Sequence, residues 1–448
     1  MASLTSGQIN TADEGPSGKF SISKRGNAIL TSSSSLNTHV QAVLANSYDP
    51  ELNANGIVNL GIAENKLCED LMVEKMKSIQ SQVESTALFY YDVNHGNASS
   101  KRTAKKFIET FFQPLEEIIE SNIVIMNGMT ATLENLAFSL ADAGEYIMVP
   151  SPYYFRIQND VKDRAGVNVI SIPIRYKEDE NGGKASECVM NSEILEEYYQ
   201  QAVSKGQTVR AILLSNPNNP NGVVFSEDQL LDILQFAYSK NVHVISNEIY
   251  ALSVFDPDVK FTSILSLPHP DPTMVHFTWG CSKDLGLSAY KYSMVYTRNP
   301  QVLGCCLGTS PFTTACGITQ SRVLSILKDE NWLSQIFLPT KYDRMRKRYQ
   351  ETVDFLRKSG AEVKQTGATM FVWMDLIKFM KEQTFEEEHN LFLKFMEKKV
   401  FVLPGSVLYN EKPGLFRVVY TLNEKVHKEG ILRVVQVLQE LQDADSNG

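Results

Sequence analysis

The chain has 448 residues, 43% of them apolar and 10% aromatic, with a net charge of −9. That length suits two or three domains around a large core. An acidic chain with no basic tract argues against nucleic acid as a partner, and no apolar run reaches the ~20 residues of a membrane span.

The six cysteines lack metal or disulfide spacing, and the seven histidines form no HxxxH or HExxH pair. Reduced thiols, no metal site and a cytoplasmic location are therefore expected. The first sixteen residues show no apolar signal core.

Residues 1–35 are rich in Ser, Gly and Thr and predict a flexible arm, or one that orders on a partner surface. Residues 36–60 are expected near the smaller domain or at a dimer interface, residues 61–311 to form a large domain, and residues 312–448 a small one. From Asn122 to Tyr296, short apolar runs alternate with amphipathic stretches. The runs are Ile123–Met126, Tyr146–Val149, Val167–Ile172, Ala211–Leu214, Val242–Ile245, Met274–Phe277 and Tyr292–Tyr296. Seven such runs predict an α/β domain on a mainly parallel sheet. Helices are expected at Thr130–Ala141 and at Ser226–Ser239, the second opening on the capping box Ser226-x-x-Gln229. Lys177–Asn191 reads as a surface excursion. Beyond Pro311, charged helices (Lys341–Ser359, Thr384–Lys399) interleave with strands (Thr369–Met374, Val400–Leu403, Phe416–Thr421), which predicts a smaller α+β domain.

Six segments carry candidate chemistry. Lys283 stands between two apolar runs beside a Gly-bearing turn, and an amine held at the end of a buried strand suits a Schiff base with an aldehyde cofactor. The plain alternative is a solvated loop lysine. Asn127-Gly128-Met129-Thr130 joins a strand to a helix, and such a turn can hold an anion on its free amides, although most such junctions bind nothing. Pro150-Ser151-Pro152-Tyr153-Tyr154 offers an aromatic to stack on a flat ring, or simply a core tyrosine pair. Asn216-Pro217-Asn218-Asn219-Pro220-Asn221-Gly222 is a turn, or one that aims the Asn219 amide at a ligand oxygen. Ser246-Asn247-Glu248-Ile249-Tyr250 ends a strand, where α/β sheets bind ligands. Arg417 sits inside an apolar strand and needs an anion, either a substrate carboxylate or a structural ion-pair partner.

Together these segments resemble fold-type-I pyridoxal-phosphate enzymes of the class I/II aminotransferase family, and in particular its 1-aminocyclopropane-1-carboxylate (ACC) synthase-like branch. The likeness is carried by Gly61-Ile62-Ala63-Glu64-Asn65-Lys66-Leu67, Tyr91-Asp92-x-x-His95-Gly96, Pro150 to Tyr154, Asn216 to Gly222, Glu248-Ile249-Tyr250, Ser282-Lys283-Asp284-x-Gly286-Leu287 and Pro413-Gly414-x-Phe416-Arg417-Val418. It covers residues 20 to 440. The resemblance implies pyridoxal 5′-phosphate as cofactor and a homodimer acting on a small amino acid. It implies that Lys283 carries the internal aldimine and moves the Cα proton. Tyr154 would stack on the ring, and Asn219 and Tyr250 would bond its 3′ oxygen. Asn247 would face the ring nitrogen. The Met129 and Thr130 amides and the Thr130 hydroxyl would hold the phosphate, with Ser282 and Lys291 beside them. Arg417 would grip the α-carboxylate, and Ala63 and Glu64 would shape substrate choice.

The chain departs from the family pattern at four positions. Asn247 stands for an aspartate, Lys291 for an arginine, Gly280 for a serine and Asn94 for a tyrosine. Asn247 can bond the ring nitrogen but cannot hold a positive charge there, which weakens stabilisation of the carbanion. Two outcomes follow from the resemblance. One is an amino-acid aminotransferase or an elimination lyase, ACC-forming or acting on carbon–sulfur bonds. The other is a catalytically weakened homologue that only binds a ligand.

Overall fold

The computed structural model describes residues 22–31, 35–83, 86–177, 188–364 and 366–446. All seven apolar runs become strands of one sheet. In chain order they are β1 (Ile123–Met126), β2 (Tyr146–Ser151), β3 (Asn168–Pro173), β4 (Val209–Ser215), β5 (His243–Asn247), β6 (Val275–Gly280) and β7 (Ser293–Thr297). Their spatial order is β1-β7-β6-β5-β4-β2-β3, and only β7 runs antiparallel to its neighbours.

The sheet is buried on both faces, which is why its strands read as unbroken apolar runs. Alternation along each strand divides the core: Ile123, Ile125, Ile212 and Leu214 enter one cluster, while Val124, Met126, Ala211 and Leu213 enter the other. Helix α1 (Gly128–Leu140) buries Leu133, Leu136, Ala137 and Leu140 as expected. The helix Glu227–Lys240 starts at Ser226, whose side chain and that of Gln229 close the capping box in both directions.

The small domain has a four-stranded antiparallel sheet, in the order Glu362–Lys364, Phe371–Asp375, Leu415–Val419, Leu403–Pro404. The long helix α2 (Leu338–Lys358) joins the two domains. The domain border differs from the expected one. Ala315, Val323, Leu327, Leu333 and Leu338 belong to the large-domain core, so that domain runs to the start of α2. The helix Gly317–Leu327 packs on Glu69–Val83 and Ala98–Phe112, two large-domain helices whose polar faces hid them in the sequence. Conversely, Val58, Leu60 and Ala63 join the small-domain core, and Val58–Asn59 pairs with Val400–Phe401.

Residues 1–21 and 32–34 of the expected flexible arm lie outside the described residues. Within the expected flexible arm Lys24–Thr31 form a helix, with the Ser23 hydroxyl accepting the Gly26 amide at 3.1 Å at its start. The helix Ser35–Ala45 lies against the small domain, with His39 edge-on to Phe392 at 4.9 Å between ring centres. Of the excursion at 177–191, residues 178–187 lie outside the described residues; its flanks Arg175–Tyr176 and Cys188–Val189 pair as an antiparallel ribbon.

Candidate active site

The carboxyl ends of β1, β2, β4, β5 and β6 open toward the small domain, and the candidate residues follow directly from those ends. Lys283 lies in the turn after β6. Its Nζ donates to the Ala63 carbonyl at 2.7 Å. Although the stem keeps some contact with solvent, burial of the amine lowers its pKa to about 8. The Arg417 charge acts in the same sense, Glu64 opposes it, and Lys291 adds to it. At pH 7 roughly a tenth of such amines are neutral, against well under a thousandth for an ordinary lysine.

Arg417 is 1% exposed and has no carboxylate partner among the described residues. Its Nη1 donates to Asn219 Oδ1 at 2.7 Å and its Nη2 to the Gly61 carbonyl, while Nε has no partner. The guanidinium lies over the Phe371 ring, 4.4 Å from its centre. Burial brings its pKa down to about 10, with Tyr250 and Tyr154 opposing. The ion-pair explanation of this arginine therefore fails, and an anion of the right shape would find a charged fork ready.

The asparagine run divides its labour. Asn216 bonds the Thr262 carbonyl and the Phe225 amide, and Asn218 bonds the Pro152 carbonyl and Asn221. Asn219 alone turns to Arg417 and to the Tyr250 hydroxyl. Burial raises the Tyr250 pKa, and Arg417 is the main opposing influence. Of the tyrosine pair, Tyr153 is core: its hydroxyl meets Ser171 at 3.0 Å and its ring stacks on Tyr409. Tyr154 keeps 36% of its surface open and lies within electrostatic reach of Arg417.

Asn247 is buried, and its Oδ1 accepts the Ile249 amide at 3.3 Å. That assignment leaves its NH2 end as the group presented elsewhere. Helix α1 begins with Gly128 at φ +79°, and Asn127 makes no side-chain cap, so the first-turn amides of Met129 and Thr130 keep their donors open. Lys291 stands over this turn: a Cβ on Gly128 would meet its Cα and Cδ at 3.4 Å. The Thr130 hydroxyl differs from the expectation. It donates to Asp160 at 3.3 Å, which leaves the first-turn backbone amides as the open donors of this turn. Ser282 flanks Lys283 and remains partly open. Glu64 pairs with Lys66 at 3.3 Å on the cleft rim. Gly280 is more than a lost donor, since a Cβ there would meet the Tyr292 carbonyl at 2.9 Å, tighter than side chains allow.

The model of the family described as "Aminotransferase class I and II" matches residues 55–434. The chain belongs to that family. It falls among the ACC synthase-like members: it is 32% identical over 419 residues to 1-aminocyclopropane-1-carboxylate synthase-like protein 1 of Mus musculus, covering 93% of this chain and 83% of that one. It is also 32% identical over 419 residues to 1-aminocyclopropane-1-carboxylate synthase 6 of Oryza sativa, covering 89% and 76%. A human relative named "Probable inactive 1-aminocyclopropane-1-carboxylate synthase-like protein 2" is 32% identical over 399 residues, covering 89% and 70%. Among solved structures, the aspartate aminotransferase of Thermotoga maritima superposes with a TM-score of 0.71 at 20% identity, over 93% of this chain and all of that one, which establishes the fold.

Pyridoxal 5′-phosphate is the cofactor of this family, and the cleft fits it. A desolvated amine is available for the aldehyde, an uncapped helix start with Lys291 for the phosphate, an amide donor for the ring nitrogen, and Asn219 with Tyr250 for a phenolic oxygen. Three further participants were not singled out from the chain. Phe371 lies under Arg417, and the buried Asp284 and Lys341 lie behind Lys283. Asp284 adjoins the lysine and could have been singled out, but Lys341 is remote in the chain.

Proposed function

We propose that this chain is a pyridoxal-phosphate enzyme acting on a small α-amino acid, by amino transfer or by β- or γ-elimination. One observation carries the reading: a lysine amine with its pKa near 8 shares a cleft with a buried arginine that has no acid partner among the described residues. The cofactor, when bound, supplies an electron sink for the carbanion at Cα. The chain's own groups do the rest. The Arg417 fork takes the substrate carboxylate and orients Cα. The Lys283 amine, neutral in a useful fraction near pH 8, removes the Cα proton. Tyr154 covers one face of the site, and Tyr250 and Asn219 offer hydrogen bonds at the phenolic edge.

Asn247 favours reactions that need less electron withdrawal, because an amide NH can donate to an unprotonated ring nitrogen but cannot keep it charged. Elimination from a substrate with a good leaving group, such as a thiolate or sulfonium, is one such reaction, and carbon–sulfur cleavage is the second reading we carry. The functional unit is a homodimer in this reading. Phe89, Tyr90 and Tyr91 are exposed in succession, and Phe312 is exposed on the helix Pro300–Thr313; exposed aromatics of this kind suit a second copy.

The test is spectroscopic. Purified chain supplied with pyridoxal phosphate should develop a visible absorption band that borohydride removes, with mass added at Lys283. A panel of amino acids should then perturb the band, and product masses assign the branch. A wild type that stays colourless and unmodified, like Lys283→Ala, overturns the reading.

A further inference from the structure

We propose that Lys341 and Asp284 form a positioning clamp, which locks the turn carrying Lys283 to the turn carrying Tyr250 and so sets the reach of the Lys283 amine. The proposal rests on the reading of Lys283 as the cofactor-bearing residue.

Asp284 follows Lys283 directly and has no solvent access. Its carboxylate takes donors from two directions. Leu252 N at 3.0 Å and Ser253 Oγ at 2.6 Å come from the turn just after Tyr250. Trp279 Nε1 at 2.9 Å comes from β6. Lys283 is thereby bracketed: the residue after it is tied to a strand residue shortly before it, closing a small loop that carries the amine. Lys341, on the first turn of α2, is equally sealed. Its Nζ donates to the Asp284 carbonyl at 2.9 Å and to Ser253 Oγ at 3.3 Å, and lies 3.9 Å from Asp284 Oδ1. The Ser253 carbonyl in turn takes the Thr369 amide of the small domain at 2.9 Å. Ser253 is thus a hub joining both catalytic turns, the interdomain helix and the edge of the small domain.

Burial raises the Asp284 pKa and lowers that of Lys341, and each charge opposes the shift of the other. An ion pair sealed from water adds little net stability over apolar groups of the same shape. What it adds is direction, since the carboxylate takes three aimed donors and the ammonium donates to two fixed oxygens.

The experiment compares the wild type with the charge-balanced double variant Asp284→Asn/Lys341→Met, and with Ser253→Ala, which removes one hydroxyl and no charge. Each is freed of cofactor and checked for its melting temperature. Each is then mixed with pyridoxal phosphate, and borohydride-stable attachment at Lys283 is timed across pH 6–9. The double variant should attach cofactor about tenfold more slowly than wild type, and Ser253→Ala about threefold more slowly, at melting temperatures that do not account for the loss. Folded variants that match the wild-type rate and pH profile overturn the clamp. Should the double variant not fold, Ser253→Ala decides alone. A wild type that never attaches cofactor instead overturns the underlying reading of Lys283.

Discussion

Arg417 Nη1 reaches Asn219 Oδ1 across the cleft at 2.7 Å, so a small-domain strand and the loop after β4 meet at one hydrogen bond. The carbonyl end of Asn219 is thereby given to the arginine and its amide end to Tyr250. Arg417→Met should raise the amino-acid KM roughly 100-fold, the scale of a lost charge-assisted pair of bonds, while cofactor attachment at Lys283 persists. Arg417→Lys should not rescue, because a point charge cannot replace the fork. Titration of the visible band with amino acid checks both; an unchanged KM would remove Arg417 from substrate capture.

Asn247 limits the electron sink in this account. With Oδ1 occupied by the Ile249 amide, Asn247→Asp would place an anionic oxygen where the NH2 now stands. Exchange of the substrate Cα proton in deuterated buffer should accelerate about tenfold. Equal exchange in the two proteins would mean that the amide is not what restrains the chemistry.

Thr369 is β-branched, fully buried and at φ +67°, and its hydroxyl has no partner. A left-handed backbone costs such a residue about 1–2 kcal/mol, and an unpaired buried hydroxyl adds to that. Glycine relieves both and gives back part of the gain as chain entropy. Thr369→Gly should therefore stabilise the fold by about 1 kcal/mol in urea denaturation. A loss of stability would show that the methyl packing outweighs the strain.

Glu248 is buried with Oε1 bonded to Ser246 and to the Ile264 amide and Oε2 unpartnered, and burial pushes its pKa up to about 7. A carboxyl whose folded pKa lies above its ordinary value stabilises the fold fully below about pH 4.5, and that contribution is lost as pH rises through 7. Glu248→Gln keeps the Oε1 acceptor and cannot ionise. The variant should gain on wild type by up to about 3 kcal/mol between pH 4.5 and 8. Denaturation at both ends of that window reads the difference, and a constant gap would refute the assignment.

Much of this molecule was legible in the chain because two-sided burial writes parallel strands as unbroken apolar runs, and all seven were found within two or three residues of their ends. The elements that went unread are amphipathic. The final helix Glu424–Ser446 buries Ile431, Val434, Val437 and Leu438 at helical spacing, but charged residues separate them. Lys283, Asn219, Tyr250 and Arg417 were legible because each sits at the end of, or inside, an apolar strand. The bond from the Thr130 hydroxyl to Asp160 was not legible, because nothing local announces an acceptor thirty residues on. Lys341 looked like one more charge on an amphipathic helix, and only tertiary packing shows that it faces Asp284.

Gly61 and Ala63 offer oxygen atoms of the main chain to the two cations that matter most here. An oxygen of that kind survives every amino-acid replacement, so scanning mutagenesis along this segment will be almost silent about its role. Position 61 is the exception, because any side chain there would run into the Phe401 ring and lift the segment away. A mutational map of this chain should thus show an intolerant glycine at position 61, and its sensitivity will belong in part to the backbone oxygen behind it.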